Sequence, residues 1–508
     1  MLSNLNNFIH SRFAPYLLFA IGGLSSFAFA PYYILPLLIP FFVVISLMLK
    51  MPHTFKQIFT LSFWLFLGHF VVGLYWICIS LFTDIESFWF LVPFALFSVP
   101  AYVALYPALA VSICNKIKIH NPYLETLAFA SVWVMFEMFR EIIFWGFPWN
   151  MIGYTFSGYL PLLQSANVIG VYGLSFVVVF VFLLLAKYIT TGFKRFLVAP
   201  IIILIIMTSF GYFRLKNNQP EFTDKTVKII QANIEQKMKW RESERYNNIM
   251  KHIKLSQGGK SDFVIWSESS FPELVDIKRN LSTSLTQSLE PHGVLITGAV
   301  RTEMDSPEFK IWNSIIAIQK EGKIVDYYDK VKLVPFGEFI PFKEFLPLPK
   351  ITHGSQNFEF SDRNDSSLTV NGLNILPLIC YEAIFPKLNY NRKKHYDAIL
   401  NLTNDAWFGD SSGPYQHYAM AKTRSVELGL PLIRAAGTGI SAVTDSYGRE
   451  VTISQLNKQE ALDSNIPKSA NKGFYARKLD KSKLFAAFLI IVMLSLVGDK
   501  TVRRVKSK

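Results

Sequence analysis

The chain has 508 residues, of which 51% are hydrophobic and 15% aromatic, a composition that excludes an ordinary soluble enzyme and favours a membrane protein. The formal net charge is +14, but the basic residues are spread out and partly lie between apolar runs, so nucleic-acid binding is not expected. The three cysteines, Cys78, Cys114 and Cys380, form no Cys-x-x-Cys pair, so neither a disulfide framework nor a metal site is predicted.

Apolar runs in residues 1–215 predict a helical bundle with seven membrane spans, since about 20 residues are needed to cross a bilayer. The stretch 13–49 contains two of these spans, separated by a turn at Pro31-Tyr32-Tyr33. The others lie at 58–82, 88–114, 124–147, 160–186 and 196–213. A shorter apolar run at 484–497 precedes a basic tail. Its length also fits a buried helix, but we expect segment 484–508 to form an eighth span and a cytoplasmic tail.

The positions of lysine and arginine predict how these spans are oriented. Basic residues gather in alternate connections, whereas the connection at 83–87 carries only acidic charge. The basic connections contain Lys50, Lys56, Lys116, Lys118, Lys187, Lys194 and Arg195. Because cytoplasmic connections carry the excess of basic residues, the large segment after the seventh span is predicted to be extracytoplasmic.

Two opposite charges, Glu137 and Arg140, lie inside the fifth predicted span and share one face of a helix. Charged residues within a span are usually paired or functional. Two interpretations stay open: a structural ion pair that holds the bundle together, or a role in lining a cavity for lipid or substrate.

Residues 216–483 are mixed and polar, which indicates a domain outside the membrane. Runs such as VKIIQANI, DFVIWSES, GVLITGAV, NILPLIC and AILNLT have the length and composition of buried strands. We therefore predict an α/β domain over 216–483, between the bundle and the last span.

Three chemically complementary side chains each follow a strand-like run in this domain. Glu268 follows the apolar strand in VIWSESSFP, Lys330 lies in YYDKVKLVPFGEFIP together with Glu338, and Cys380 ends the strand in LPLICYEAIFP. Taken singly, each has an ordinary explanation: a helix-capping acid, a solvated surface charge and a buried core thiol. Together they supply a base, a cation and a nucleophile, which covalent acyl transfer requires.

These residues resemble the Glu-Lys-Cys triad of the nitrilase superfamily, and with the predicted spans the chain is similar to the apolipoprotein N-acyltransferase family. The most specific match is YDKVKLVPFGE at 328–338, whose register selects Lys330 over Lys332. Further matches are GFPWNMIGY after the fifth span, IQANIEQKMKW at 230–240, and the long stretch at 402–449 that begins LTNDAWFG. The resemblance implies an αββα sandwich for the α/β domain, a fold that periodicity alone does not predict.

The resemblance also implies roles for individual residues. Glu268 would be the general base, Lys330 the cation that stabilises the oxyanion, and Cys380 the nucleophile. Glu338 would hold Lys330 in place. The remaining residues of the implied site are Tyr381, whose backbone N–H would face the oxyanion, Glu382, which would assist the site, and Trp240, near the substrate entrance. No metal or organic cofactor is implied.

The implied reaction has two steps. Cys380 would take an acyl chain from a membrane phospholipid to form a thioester, and the free α-amine of a diacylglyceryl-cysteine apolipoprotein would then accept the chain. The implied location is the bacterial inner membrane, with the catalytic domain on the periplasmic side. The sequence leaves the oligomeric state open, and a monomer is our expectation.

Two alternatives remain at this point. A membrane-anchored amidase of the nitrilase type would keep the triad and use water as the acceptor. A transporter with a large outer binding domain would not need Glu268, Lys330 or Cys380, but the spans contain few ionisable residues for a polar pathway.

Overall fold

The computed structural model describes residues 11–305, 308–343, 356–361 and 367–506. The chain divides into two compact units. A helical unit comprises Met1–Cys78, Trp89–Asn217 and Gly473–Lys508, and an α/β unit comprises Ile79–Phe88 and Asn218–Lys472.

Ten α-helices of more than two turns are found in the described residues. They are α1 (Ala14–Ser25), α2 (Leu38–Met48), α3 (Phe55–Leu74), α4 (Val92–Ile117), α5 (Pro122–Ile142), α6 (Ala166–Thr191), α7 (Arg195–Asn217), α8 (Arg245–Ser256), α9 (Ser412–Leu428) and α10 (Lys481–Lys506). Shorter helices occur at Ile85–Phe88, Leu160–Leu163, Gln236–Lys239 and Phe474–Lys478. The helical unit contains α1 to α7 and α10, so its helices follow the predicted apolar runs closely.

Within the described residues, 5 helical segments are long and apolar enough to cross a membrane. They are Phe55–Phe82, Trp89–Ile117, Ala166–Thr191, Arg195–Asn217 and Lys481–Arg503. The apolar segments Ala14–Ala28 and Leu35–Met48 are shorter. Helix α5 is long enough but is more charged, because it carries Glu125, Glu137, Arg140 and Glu141. The last helix extends beyond its short apolar run at both ends.

Charged side chains buried in the helical unit have partners far away in the sequence. Glu125 near the start of α5 pairs with Lys50 at 2.7 Å and with Lys187 of α6. Because Lys50 and Lys187 meet at one carboxylate, two of the basic connections lie at the same end of the bundle.

Glu137 and Arg140 are both buried in the helical unit, but they do not form the direct ion pair considered above. Glu137 accepts hydrogen bonds from Trp133 Nε1 at 3.0 Å and from the backbone N–H of Ile152 at 2.8 Å. The guanidinium carbon of Arg140 lies 5.5 Å from the centroid of the Phe70 ring. Both charged side chains line one small cavity. The direct ion pair is therefore not formed, and a role of these residues in lining a cavity for lipid or substrate stays a hypothesis.

The α/β unit contains thirteen strands in the described residues. They are β1 (Phe222–Gln231), β2 (Phe263–Trp266), β3 (Phe271–Val275), β4 (Val294–Thr302), β5 (Ile311–Gln319), β6 (Ile324–Asp329), β7 (Leu368–Val370), β8 (Leu373–Ile379), β9 (Ala398–Thr403), β10 (Leu432–Ala436), β11 (Ala442–Thr444), β12 (Glu450–Ile453) and β13 (Glu460–Pro467). All five strand-like runs quoted above form strands, namely β1, β2, β4, β8 and β9.

These strands form two sheets. The first has the order β13-β1-β2-β4-β5-β6, with β3 added alongside β4, and the second has the order β12-β11-β10-β9-β8-β7. Strands β1, β2 and β4 run parallel, as do β8, β9 and β10. Parallel neighbours bring their carboxyl ends to the same sheet edge, where side chains from distant sequence positions meet.

Two layers of buried apolar side chains hold the sheets and helices together. One contains residues from both sheets, such as Ile265 of β2 and Leu400 of β9. The other lies between the first sheet and α8 and contains Ile253 and Trp266. Helix α9 packs on the second sheet, where Tyr418 forms an apolar cluster with Ile440 and Ala442. This arrangement confirms the αββα sandwich that the resemblance implied.

The end of the α/β unit differs from the predicted boundary at 483, because residues 473–483 group with the helical unit. The ring of Tyr475 packs on Gly170 of α6, where an added Cβ would lie 2.3 Å from a ring atom. Gly170 also has φ +66°, a conformation that glycine adopts at low cost. This contact ties the segment to the helices.

Candidate active site

Cys380 lies at a sharp turn between β8 and a short helical turn, Cys380–Ile384. Its φ is +47°, a left-handed conformation that is unfavourable for residues other than glycine and needs support from the surrounding structure. Burial raises the pKa of the Cys380 thiol, and the charge of Glu268 raises it further, whereas Lys330 lowers it. The thiol is therefore protonated at neutral pH and needs a base before it can act as a nucleophile.

Glu268 follows β2 and is buried, with hydrogen-bond donors around its carboxylate. Oε1 accepts from Asn313 Nδ2 at 2.8 Å, and Oε2 accepts from the backbone N–H of Asn404 at 2.8 Å. Gly298 of β4 allows the backbone to come this close, because an added Cβ would lie 2.5 Å from the Glu268 Cα. The carboxylate is thus held in one orientation from two sides.

Lys330 follows β6 and is only 1% exposed. Its Nζ lies 2.9 Å from Glu338 Oε2 and 3.5 Å from Glu268 Oε1. Asn313 Nδ2 also donates to Glu338 Oε1 at 2.6 Å, so one amide bridges the two carboxylates. Burial alone would lower the pKa of Lys330, but the charges of Glu338 and Glu268 raise it above its ordinary value, so the ammonium stays charged.

Glu382 joins the nucleophile turn to the segment that carries Lys330. Its Oε2 accepts from the backbone N–H of Ile379 at 2.7 Å. Its Oε1 accepts from Tyr328 Oη at 2.8 Å and from the backbone N–H groups of Val331 and Lys332 at 2.8 and 3.1 Å. Burial raises the pKa of Glu382 to about 7, against the opposing effect of these donors. The carboxylate sets the spacing between the two segments.

Tyr381 and Trp240 lie on the same unit as the triad residues. Tyr381 is buried, and its ring packs on Phe385 with 5.1 Å between the ring centroids. Trp240 is half-buried and follows the single helical turn Gln236–Lys239. Every candidate site residue from the sequence therefore lies in the α/β unit, and Glu268, Lys330 and Glu338 make direct polar contacts.

The sequence did not indicate several polar residues that complete the site. Lys239 is buried, and its Nζ donates to the backbone carbonyl of Glu268 at 2.7 Å. Burial lowers the pKa of Lys239 to about 8, although the charges of Glu268 and Cys380 oppose the shift. Asn313 and Asn404, described above, are the others. A usable signal was the polar pair Asn313-Ser314 inside the otherwise apolar run IWNSIIAIQ, the sequence of β5.

The arrangement supplies three chemical functions, two after strands β2 and β6 of the first sheet and one after β8 of the second sheet. Glu268 is a carboxylate that can accept a proton, Lys330 is a fixed positive charge, and Cys380 is a thiol with a high pKa. A base and a cation next to a protonated thiol are the requirements for nucleophilic attack on an acyl group. The fold defines an α/β domain of the nitrilase type, carried on the same chain as a set of apolar helices.

Comparisons with known proteins agree with this class. The family model described as Apolipoprotein N-acyltransferase N-terminal domain matches residues 21–184, and the one described as Carbon-nitrogen hydrolase matches residues 226–469. The apolipoprotein N-acyltransferase of Rickettsia bellii is 38% identical over 482 residues, which cover 94% of each chain. That of Rhodopseudomonas palustris is 35% identical over 501 residues, covering 93% of each.

Solved structures show a weaker likeness to the α/β unit. A CN-hydrolase superfamily protein from Xanthomonas campestris has a TM-score of 0.37 and 16% identity, covering 54% of this chain and 97% of that one. An amidase from a Nesterenkonia species has a TM-score of 0.35 and 14% identity, covering 53% of this chain and 97% of that one.

The chain belongs to the apolipoprotein N-acyltransferase family, as the identity over nearly its whole length to curated members establishes. It is a membrane protein and an enzyme of the acyltransferase class, which confirms the class that the sequence predicted.

Proposed function

We propose that the protein transfers an acyl chain from a membrane phospholipid to the α-amine of a diacylglyceryl-cysteine apolipoprotein, through a thioester on Cys380. The observation that carries this proposal is the buried contact of Lys330 with both Glu268 and Glu338 beside a buried cysteine. A fixed cation between two carboxylates leaves one carboxylate to hold it and the other to act as the base.

In the first step, Glu268 takes the proton of the Cys380 thiol as the sulfur attacks the ester carbonyl of the phospholipid. Positive charge on Lys330 stabilises the oxyanion that forms on the carbonyl oxygen. The carbon–oxygen bond of the ester then breaks, and the proton passes from Glu268 to the leaving lysophospholipid alcohol. Cys380 is left as a thioester.

In the second step, the α-amine of the apolipoprotein attacks the thioester carbonyl. A carbon–nitrogen bond forms, the carbon–sulfur bond breaks, and Glu268 takes a proton from the amine and returns it to the thiolate. Each step leaves the base and the cation as they began. Two successive half-reactions on one nucleophile give ping-pong kinetics.

Glu338 holds Lys330 and Glu382 sets the nucleophile turn. We assign Tyr381 the backbone N–H that faces the oxyanion, and Trp240 a place near the entrance for substrate. The apolar helices suit lipid substrates, because at about 0.8 kcal/mol per buried CH₂ acyl chains stay in the bilayer. We further propose that the functional unit is a monomer.

The test uses the full-length protein in nanodiscs that hold a single copy. The discs carry a phospholipid with an odd-numbered acyl chain, and a diacylglyceryl peptide with a free α-amine is added. We expect the odd-numbered chain on the peptide amine with the unaltered protein and none with Cys380→Ala. Transfer by the Ala variant would contradict the proposal, and release of free fatty acid alone would point to a hydrolase.

We further propose that the chain lies in the bacterial inner membrane as eight spans, with the α/β unit on the periplasmic side. The joint contact of Lys50 and Lys187 with Glu125 supports this, since it gathers basic connections at one end of the bundle. Tyr246, 72% exposed, provides a labelling position on the α/β unit. In a cysteine-free background, Tyr246→Cys should react with a membrane-impermeant maleimide in spheroplasts, and Lys194→Cys should react only after lysis. The reverse pattern would refute this orientation.

A further inference from the structure

A network of three buried side chains lies behind the nucleophile turn and takes no part in the mechanism above. His417 of α9, Asp405 and Arg434 of β10 all have side chains that are 0% exposed. His417 Nε2 lies 3.0 Å from the backbone carbonyl oxygen of Cys380, and His417 Nδ1 lies 2.8 Å from Asp405 Oδ1. Arg434 Nη2 donates to Asp405 Oδ2 at 2.7 Å. The network therefore ends on the backbone of the nucleophile itself.

The carbonyl of Cys380 fixes which ring nitrogen of His417 must carry a hydrogen. A carbonyl oxygen only accepts, so Nε2 is the donor in this contact; the ionised Asp405 carboxylate also only accepts, so the contact at Nδ1 requires a hydrogen on that nitrogen too. Burial alone would raise the pKa of Asp405, but Arg434 and His417 lower it to about 2, so its carboxylate stays ionised and orients the ring. Carboxylates commonly hold a histidine ring in place in this way.

Support at this position matters because of the backbone conformation of Cys380. Its φ of +47° is unfavourable for a residue with a Cβ, so the conformation persists only where neighbouring groups enforce it. The peptide between Leu378 and Ile379 is held by Glu382, which accepts from the Ile379 N–H at 2.7 Å. The carbonyl of Cys380 is held from the other side by His417. These two contacts hold the backbone on both sides of the Cys380 Cα, which carries the thiol side chain.

We propose that His417 is a positioning residue for the nucleophile: its Nε2–H holds the Cys380 carbonyl and so aims the thiol at the reacting carbonyl, with Asp405 and Arg434 fixing the ring. The effect on acyl transfer rests on the proposed function, since it takes Cys380 as the nucleophile. The effect on the geometry and reactivity of the Cys380 thiol is independent of the proposed function.

Two amide substitutions separate the contacts of the ring. The amide nitrogen of His417→Asn stands where Nδ1 stands, so it keeps the Asp405 contact and loses the one to Cys380. His417→Gln reaches the Nε2 position and does the opposite. Glu427→Gln on the same helix is the matched control, because it weakens another buried ion pair, to Arg424 at 3.0 Å. His417→Ala replaces the Asn variant if the latter does not fold.

The full-length protein in nanodiscs is given a phospholipid of defined chain length, and acyl-Cys380 is followed by intact mass in a single turnover. At saturating lipid we expect His417→Asn to acylate about 100-fold more slowly than Glu427→Gln at a similar melting temperature. His417→Gln should recover about 10-fold of that loss. Equal rates for the Asn and Gln variants would overturn the proposal.

A second measurement separates failure of this proposal from failure of the proposed function. The rate of Cys380 alkylation by iodoacetamide is recorded against pH for each folded variant. A profile that changes in His417→Asn but not in Glu427→Gln supports the positioning role even if no variant forms a thioester. Profiles that coincide refute it, whatever the acylation assay gives.

Discussion

Substitution of Lys330 by Met removes the only cation seen within 4 Å of the carboxylate oxygens of Glu268 and Glu338 among the described residues. Nζ is 2.9 Å from Glu338 and 3.5 Å from Glu268, and all three side chains are buried. In the variant, two carboxylates would share one amide, Asn313, with no positive charge between them. Removing one partner of a buried ion pair costs about 3–5 kcal/mol, because the remaining charge stays buried without compensation.

The pH dependence of this cost has a definite sign. The folded-state pKa of Lys330 is raised, so its contribution to stability is complete below the ordinary lysine pKa and is lost only as pH rises through the higher folded value. The unaltered protein should thus show no loss from Lys330 between neutral pH and the ordinary lysine pKa. In Lys330→Met the cost is present while both carboxylates are ionised, and it falls as acid protonates one of them.

The assay is thermal unfolding of the detergent-solubilised protein, followed by intrinsic fluorescence at several pH values. A cost of about 3–5 kcal/mol corresponds to a melting temperature about 6–20 °C lower for a domain of this size. The double variant Lys330→Met/Glu338→Gln removes one of the two carboxylates and should recover part of the stability without restoring acyl transfer. A Lys330→Met protein as stable as the unaltered one at pH 8, or a double variant no more stable than the single one, would refute the reasoning.

Three further substitutions test the site. Glu268→Gln removes the base and should slow formation of acyl-Cys380 by about 10²–10⁴-fold, measured by intact mass. Because the charge of Glu268 also raises the thiol pKa, the pH profile of Cys380 alkylation should shift to lower pH in this variant, and a shift to higher pH would contradict this account. Glu382→Gln sets an amide NH₂ against the Ile379 N–H, which should cost about 1–3 kcal/mol in a melting experiment, whereas an unchanged melting temperature would show that this contact contributes little. Gly298→Ala forces the Glu268 backbone away from its present position and should slow acylation about 100-fold, while a normal rate would mean that the close approach is not required.

The sequence predicted the two kinds of domain because hydropathy and strand periodicity are local properties. The runs that became β1, β2, β4, β8 and β9 are short, apolar and rich in β-branched residues, which is sufficient to indicate strands. The pairing of two sheets into a sandwich was not available from periodicity and came from the family resemblance. The most specific part of that resemblance was the match over Tyr328 to Glu338.

The residues that complete the site were not predicted, because their partners lie far away in the sequence. Asn313 is 45 residues from Glu268, and Asn404 is 136 residues from it. In the sequence, Asn313 is one polar residue in a strand and His417 is one histidine in a helix. Only the folded arrangement of the two sheets and α9 brings them to Glu268 and Cys380. The roles assigned to Glu268, Lys330 and Cys380 stay predictions until the variants are measured.

The measurement that tests the central claim most directly is the intact mass of the full-length protein after incubation with a phospholipid of one chain length and no acceptor. We predict a mass increase of one acyl group on Cys380 that is labile to hydroxylamine and is lost when a diacylglyceryl peptide with a free α-amine is added. The same acyl group should then appear on the peptide. A folded protein that acylates the peptide without ever carrying the acyl group on Cys380 would contradict the account.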